Sequence, residues 1–119
     1  MTSRYFNLQV EGPVTVVRFT EKHLNDSNIQ QIGEELSGLA DQLGQGELHL
    51  DFSEVQYLSS VVMAKLLTLH KRVTREGGRF VLTNVDALYE VFSVTRLDKL
   101  MDVRHHSATA VPPPPEAPA

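Results

Sequence analysis

The sequence has no cysteine among its 119 residues. A disulfide framework, a thiol nucleophile and a thiolate metal site are therefore excluded. The sequence also lacks any apolar run near the roughly 20 residues that a membrane-spanning helix needs. Its first residues, MTSRYFNLQVEG, alternate polar and apolar side chains and lack the apolar centre of a signal peptide. We therefore expect a cytoplasmic protein with no membrane partner.

Clustered basic charge is missing as well. The chain has 11 Lys and Arg against 15 Asp and Glu, a formal net charge of -4, and the basic residues are scattered along it. Proteins that bind nucleic acids present clustered lysine and arginine to the phosphates. The composition therefore predicts no direct nucleic-acid partner.

Motifs typical of enzymes are absent too. The sequence has no G-x-S-x-G nucleophile elbow and no glycine-rich loop that would hold phosphates. His105 and His106 are adjacent but have no third ligand at a useful spacing for a metal. We expect no catalytic residues, no cofactor and no metal site.

Alternating and β-branched segments predict four main strands. Tyr5–Glu11 alternates strictly and is followed by a Gly12-Pro13 turn, so it forms an antiparallel hairpin with Val14–Thr20. Leu48, Leu50 and Phe52 alternate in a third strand, and Arg79–Thr83 forms a fourth. A short last strand is expected within Leu100–Val103.

Helical spacing predicts three helices between these strands. Asn25 or Asp26 caps the first helix, whose apolar stripe consists of Ile29, Ile32, Leu36, Leu39 and Leu43. The second helix begins near Ser59 or Ser60 and stops at Gly77-Gly78. Asp86 caps a short third helix whose inward residues are Leu88, Val91 and Phe92.

These elements predict one α/β domain. The order β-β-α-β-α-β-α-β gives a mixed sheet with helices packed mainly on one face, because strands joined through single helices pair in parallel. We assign the domain to residues 1–104. Residues 105–119, HHSATAVPPPPEAPA, contain four consecutive prolines and are expected to form a disordered proline-rich tail.

The segment DFSEVQYLSSVVMAKLL, residues 51–67, passes from a strand into a helix at two serines. Either Ser59 or Ser60 can cap the helix by accepting a bond from a free backbone N–H. Asp51 and Ser53 have the spacing of a local side-chain-to-backbone turn. In sheets with βα units, partners meet the loops that follow strand ends, so this loop is also a candidate binding site.

Residues 48–85 resemble the STAS domain, the fold of bacterial anti-sigma factor antagonists, stressosome proteins and the cytoplasmic ends of sulfate transporters. The resemblance rests on Leu50-Asp51-Phe52-Ser53, Val55, Ser59-Ser60, Gly77-Gly78 and Val81-Leu82-Thr83-Asn84-Val85, and continues through Leu88, Val91, Phe92 and Leu97. In antagonists of this family a serine at the helix start is phosphorylated by a partner kinase, which is also the anti-sigma factor. Phosphorylation ends the binding.

The family's phosphoserine falls on Ser59, with Ser60 and Ser53 as secondary candidates. The resemblance implies a protein partner, an anti-sigma factor with serine kinase activity, and a partner-binding surface formed by Asp51, Ser53, Leu58, Ser59, Ser60, Val61 and Met63. The oligomeric state is left open.

Three positions depart from the family pattern. Leu58 replaces the acidic residue before the serine, Val61 replaces the glycine after the serine pair, and Arg96 replaces the glycine of a T-G-L motif. Two alternatives therefore stay open: an unmodified interaction module of a larger signalling assembly, and a module that binds a lipid or nucleotide at the strand ends.

Overall fold

The computed structural model describes residues 5–104, without the side chain of Asp98. The predicted tail at residues 105–119, with the histidine pair at its start, lies outside the described residues. No helix within residues 5–104 is both long and apolar enough to cross a membrane.

The main sheet has five strands in the order β1-β2-β4-β6-β7. The strands β1 and β2 pair antiparallel, and the other neighbours pair in parallel. The alternating and β-branched segments therefore form the expected mixed sheet. The bounds of its strands are β1 Phe6–Glu11, β2 Val14–Phe19, β4 Glu47–Asp51, β6 Arg79–Thr83 and β7 Asp102–Val103.

Four helices connect the strands within the described part of the chain, with bounds α1 Ile29–Leu43, α2 Ser60–Arg75, α3 Tyr89–Val94 and the single turn α4 Leu97–Leu100. Their buried residues follow the predicted stripes: Ile29, Ile32 and Leu36 in α1, and Val62, Leu66, Leu69 and Val73 in α2. A 3-10 turn at Asp86–Leu88 precedes α3. Phe92 of α3 is fully buried in the same core.

The core lies between the helices and one face of the sheet. That face contributes Val17, Leu50 and Leu82, which are register partners on three adjacent strands and are all fully buried. The opposite face of the strands carries ion pairs, including Arg79 with Asp102 at 2.9 Å. The prediction of helices packed mainly on one face of a mixed sheet is confirmed.

Several boundaries differ from the sequence predictions. The N-cap of α1 is Asn28, because the residues before it form a hydrogen-bonded loop of their own. The segment predicted as the start of the last strand, around Leu100, ends α4, and β7 begins at Asp102. Two short strands, β3 His23–Leu24 and β5 Tyr57–Leu58, pair in parallel in a separate two-stranded sheet and were not predicted.

Candidate functional site

The small β3–β5 sheet brings two distant loops together at the start of α2. His23 pairs with Tyr57, and Leu24 with Leu58. The backbone N–H of Ser59 donates to the carbonyl of Leu24 at 3.0 Å, which continues the pairing up to the helix start. The loop that precedes α1 is thereby held against the N-terminus of α2.

Ser59 is the N-cap of α2, as the sequence allowed. Its backbone is extended, with φ -81° and ψ 166°, and its hydroxyl oxygen accepts a bond from the backbone N–H of Val62 at 3.3 Å. Its carbonyl accepts the first helical bond, from the N–H of Met63 at 3.1 Å. The side chain is partly exposed, so it both starts the helix and remains within reach of the surface.

The hydroxyl of Ser59 also donates to Oδ1 of Asp26 at 3.0 Å. Asp26 is exposed and lies in the loop between β3 and α1. One hydroxyl can donate one hydrogen bond, and that donor is directed at a carboxylate. The result is a charge-assisted bond across two loops at the mouth of the helix.

The loop that carries Asp26 is fixed by its own asparagines. Oδ1 of Asn25 accepts from the N–H of Ser27 at 2.9 Å, and Oδ1 of Asn28 accepts from the N–H of Asn25 at 3.0 Å. The side-chain amide of Asn28 donates to the carbonyl of His23 at 3.0 Å. These local bonds hold Asp26 in place opposite Ser59.

Exposed apolar side chains flank Ser59. Tyr57 is 52% exposed and Val61 is 43% exposed, although both are large apolar residues. The ring of Tyr57 packs edge-on against that of His23, with centroids 6.1 Å apart. Ser60 is exposed beside them and Met63 is half-buried. Aromatic residues at the centre of a surface patch are typical of protein–protein contacts.

The remaining predicted site residues occupy different positions. Oδ1 of Asp51 accepts from the N–H of Ser53 at 2.9 Å, which forms the expected local turn, and from the side-chain amide of Asn84 at 3.0 Å. Ser53 is exposed. Leu58 is only 5% exposed and packs in the core, because its strand alternation directs Tyr57 outward and Leu58 inward. Leu58 therefore does not share the open surface around Ser59.

Three residues at this site were not predicted from the sequence. Asp26 was considered only as a cap of α1, and Tyr57 and His23 were not assigned to the site. Asp26 and Ser59 are 33 positions apart, so only the β3–β5 pairing reveals their contact. The polar segment Asn25–Asn28 is longer than a helix cap requires, and this length was a signal in the sequence that the loop has a further role.

The described residues contain no group of three His, Asp or Glu side chains that could hold a metal ion. The Ser59 hydroxyl has two hydrogen-bond partners, the carboxylate of Asp26 and the backbone N–H of Val62. This arrangement orients the hydroxyl at the surface, where a second protein can reach it.

Comparison with protein families identifies one match. The model of the STAS domain matches residues 5–110, which include every described residue. No curated protein matches the sequence.

Solved structures share this fold at low sequence identity. An anti-sigma-factor antagonist (STAS) domain protein from Planctomyces limnophilus has a TM-score of 0.78 at 22% identity, covering 86% of this chain and 91% of that one. An anti-sigma factor antagonist from Mycobacterium paratuberculosis has a TM-score of 0.72 at 19% identity, covering 83% of each chain. The Bacillus cell fate determinant SpoIIAA in its phosphorylated form has a TM-score of 0.64 at 21% identity, covering 82% of this chain and 89% of that one. At these identities the similarity establishes the fold.

Proposed function

The chain belongs to the STAS domain family, and from this premise we propose that it is an anti-sigma factor antagonist-like interaction module. Its partner is an anti-sigma factor with serine kinase activity, and phosphorylation of Ser59 regulates the contact. The protein acts by binding in the cytoplasm and not by catalysis.

The position of the Ser59 hydroxyl is the observation that carries this proposal. It lies at the N-terminus of a 16-residue helix, partly exposed, between the exposed side chains of Tyr57 and Val61. In the transfer, the bond between the γ-phosphorus and the β,γ-bridging oxygen of ATP breaks and ADP leaves. Oγ of Ser59 forms the new O–P bond, and its proton passes to a base of the kinase. Neither step requires a buried group to move into solvent.

The helix tolerates the phosphate that this step adds. A phosphoserine carries about -1.5 to -2 charges at neutral pH. The helix N-terminus favours an anion by about 0.3–1 kcal/mol, which offsets part of the new charge. We therefore expect the fold to survive modification.

The effect of the phosphate falls on Asp26 and on the partner surface. The modified oxygen has no proton to donate, so the 3.0 Å bond to Asp26 is replaced by repulsion between two anions. A phosphate covered by an apolar partner also loses water without gaining a matched cation. An unmatched buried charge in an interface typically costs about 2–5 kcal/mol, which is about thirty-fold or more in affinity.

One observation favours the unmodified module as a second candidate. The Ser59 hydroxyl is already engaged on both sides, by Asp26 and by the N–H of Val62. A carboxylate this close opposes the approach of the γ-phosphate. If Ser59 is not phosphorylated, the exposed patch of Tyr57 and Val61 would bind a partner constitutively.

The two candidates are separated by mapping the modification. The protein is incubated with its cognate kinase and ATP, and the phosphate is located by mass spectrometry. Ser59→Ala should abolish the modification and retain partner binding, whereas the matched control Ser60→Ala should be modified like the parent. If no phosphate appears on Ser59, the unmodified module stands.

A further inference from the structure

Although Lys and Arg are scattered along the sequence as a whole, four of them lie within one helix. The 16 residues of α2 contain Lys65, Lys71, Arg72 and Arg75, four of the 11 Lys and Arg of the chain. None of the 15 Asp and Glu lies within the helix. This cationic segment contrasts with a molecule whose formal net charge is -4.

The four cations share one side of α2. At about 100° per residue, Lys65, Arg72, Arg75 and Lys71 fall within an arc of about 120°, together with Thr68. All five side chains are exposed. They form a basic stripe, defined here as these five residues, that runs for about 15 Å along the helix at 1.5 Å per residue.

A cleft deepens the C-terminal part of this stripe. It has a volume of about 640 Å³ and is lined by Asp41, Thr68, Lys71, Arg72, Arg75 and Glu76. Arg72 is anchored there, because its Nε donates to Oδ1 of Asp41 of α1 at 3.0 Å. Lys65, Lys71 and Arg75 make no ion pair with any other described side chain, so their charges are available to a ligand.

We propose that the basic stripe of α2 docks an acidic peptide segment of a protein partner. Its extended shape matches a chain with several carboxylates, and the arginines offer the planar donors that carboxylates accept. A nucleotide fits less well, because the cleft is lined by polar and charged residues and provides no aromatic or apolar wall for a base. The contacts are exposed, so the docking is weak and sensitive to salt.

The cleft end of the basic stripe is distant from Ser59. Ser59 lies at the N-terminus of α2, and the stripe extends to Arg75, about 24 Å along the helix at 1.5 Å per residue. At roughly three Debye lengths for physiological salt, a phosphate on Ser59 is screened from Arg75. Lys71 is about 18 Å from Ser59 along the helix, whereas Lys65 is about 9 Å away, within about one Debye length. If Ser59 is phosphorylated as proposed, we expect binding at the cleft end of the stripe to change little.

The test measures binding of fluorescein-labelled hexaglutamate by fluorescence anisotropy at low salt. We expect saturable binding that weakens as salt is raised, and a loss of about tenfold or more in affinity for the double variant Lys71→Glu and Arg75→Glu. The matched control, Lys22→Glu with Lys99→Glu, makes the same change in net charge at exposed positions outside the stripe. It should retain most of the affinity.

Circular dichroism and the melting temperature establish that both double variants are folded. If the double variant Lys71→Glu and Arg75→Glu fails to fold, the double variant Lys71→Gln and Arg75→Gln replaces it. Its control is then the double variant Lys22→Gln and Lys99→Gln. Equal losses in stripe and control variants would show a response to net charge and overturn the proposal, as would the absence of binding at low salt. Binding of inorganic phosphate or ATP at the stripe without binding of hexaglutamate would also overturn it and assign the cleft to a phosphate ligand.

Discussion

The Ser59 hydroxyl serves two structural purposes through one oxygen. It caps α2 by accepting from the N–H of Val62, and it ties the β3–α1 loop to the helix by donating to Asp26. Phosphorylation leaves acceptor oxygens for the cap but removes the donor to Asp26. The proposed switch would therefore act on the contact between the two loops, while the helix keeps its cap.

A double-mutant cycle tests this contact. Ser59→Asp places a second carboxylate opposite Asp26, and Asp26→Asn removes the repulsion by supplying an amide donor. We expect Asp26→Asn to destabilise the parent but to be neutral or stabilising in the Ser59→Asp background. The coupling should be about 1 kcal/mol in the free energy of unfolding from denaturant melts. Additive effects would show that the two side chains do not interact.

Arg96 illustrates how a departure from the family pattern affects the backbone. It has φ 63°, in the left-handed region that glycine adopts without cost, and it stands where the family often has glycine. A non-glycine residue in this conformation costs about 1–2 kcal/mol. The local fold of α3–α4 therefore keeps the geometry that glycine would supply, at the expense of strain.

Arg96→Gly should raise the stability of the protein by roughly 0.5–1 kcal/mol, since relief of strain exceeds the greater entropy of glycine in the unfolded chain. Arg96→Ala is the matched control, because it removes the side chain but keeps the strain. It should be neutral. A loss of stability in Arg96→Gly, measured by urea unfolding, would contradict this explanation.

At the scale of elements, the sequence predicts the helices and strands whose apolar residues recur at a regular spacing. The two amphipathic helices, the first hairpin and the two central strands follow from side-chain periodicity. The predicted start of α2 near Ser59 or Ser60 is confirmed, with Ser59 as its N-cap. The strands β3 and β5 have two residues each, too few for a periodic signal. Their pairing joins segments more than thirty positions apart, so Asp26 and Tyr57 could not be brought to the site by local reasoning.

Helix α2 also carries a titratable group that affects stability. Burial, and secondarily the nearby charge of Lys71, lower the pKa of His70 below 6.5. Its Nδ1 is buried without a hydrogen-bond partner in the described part of the chain, and its ring packs edge-on to Phe80 at 6.0 Å. The folded state thus favours the neutral imidazole.

The sign of the pH dependence follows from this pKa. Below 6.5 the unfolded chain binds a proton that the folded chain resists, so stability falls as the pH drops toward the lower pKa of the folded state. We expect the free energy of unfolding to decrease as the pH falls through and below 6.5, and to decrease less in His70→Gln. Asp102 does not contribute to the pH dependence in this range, because the hydrogen bond from Arg104 lowers the pKa of Asp102 below 3.8. An unchanged pH dependence in the variant would assign the effect to other groups.

On the scale of the whole molecule, the described domain is closed at its C-terminal end by Arg104. Its backbone N–H donates to the carbonyl of Leu82 at 2.7 Å, and its side chain binds Asp102 through Nε at 3.0 Å. The last strand is thus fixed by residues up to this position.

Truncation at Ser107 should leave the melting temperature within about 4 °C of the full chain, which for a domain of this size corresponds to less than about 1 kcal/mol. Differential scanning calorimetry of both chains makes the comparison. A drop of many degrees would show that the residues after the truncation point stabilise the domain.

Under the proposed function, the whole molecule is a protein–protein interaction module with a regulatory serine at the start of α2 and a basic stripe along the same helix. The central claim is that phosphorylation of Ser59 controls partner binding at the start of α2. Isothermal titration of the partner kinase into the unmodified protein and into the protein phosphorylated on Ser59 tests this claim most directly. We predict that phosphorylation weakens binding by about thirty-fold or more, with melting temperatures that stay close to each other. Equal affinity of the two forms would contradict the account.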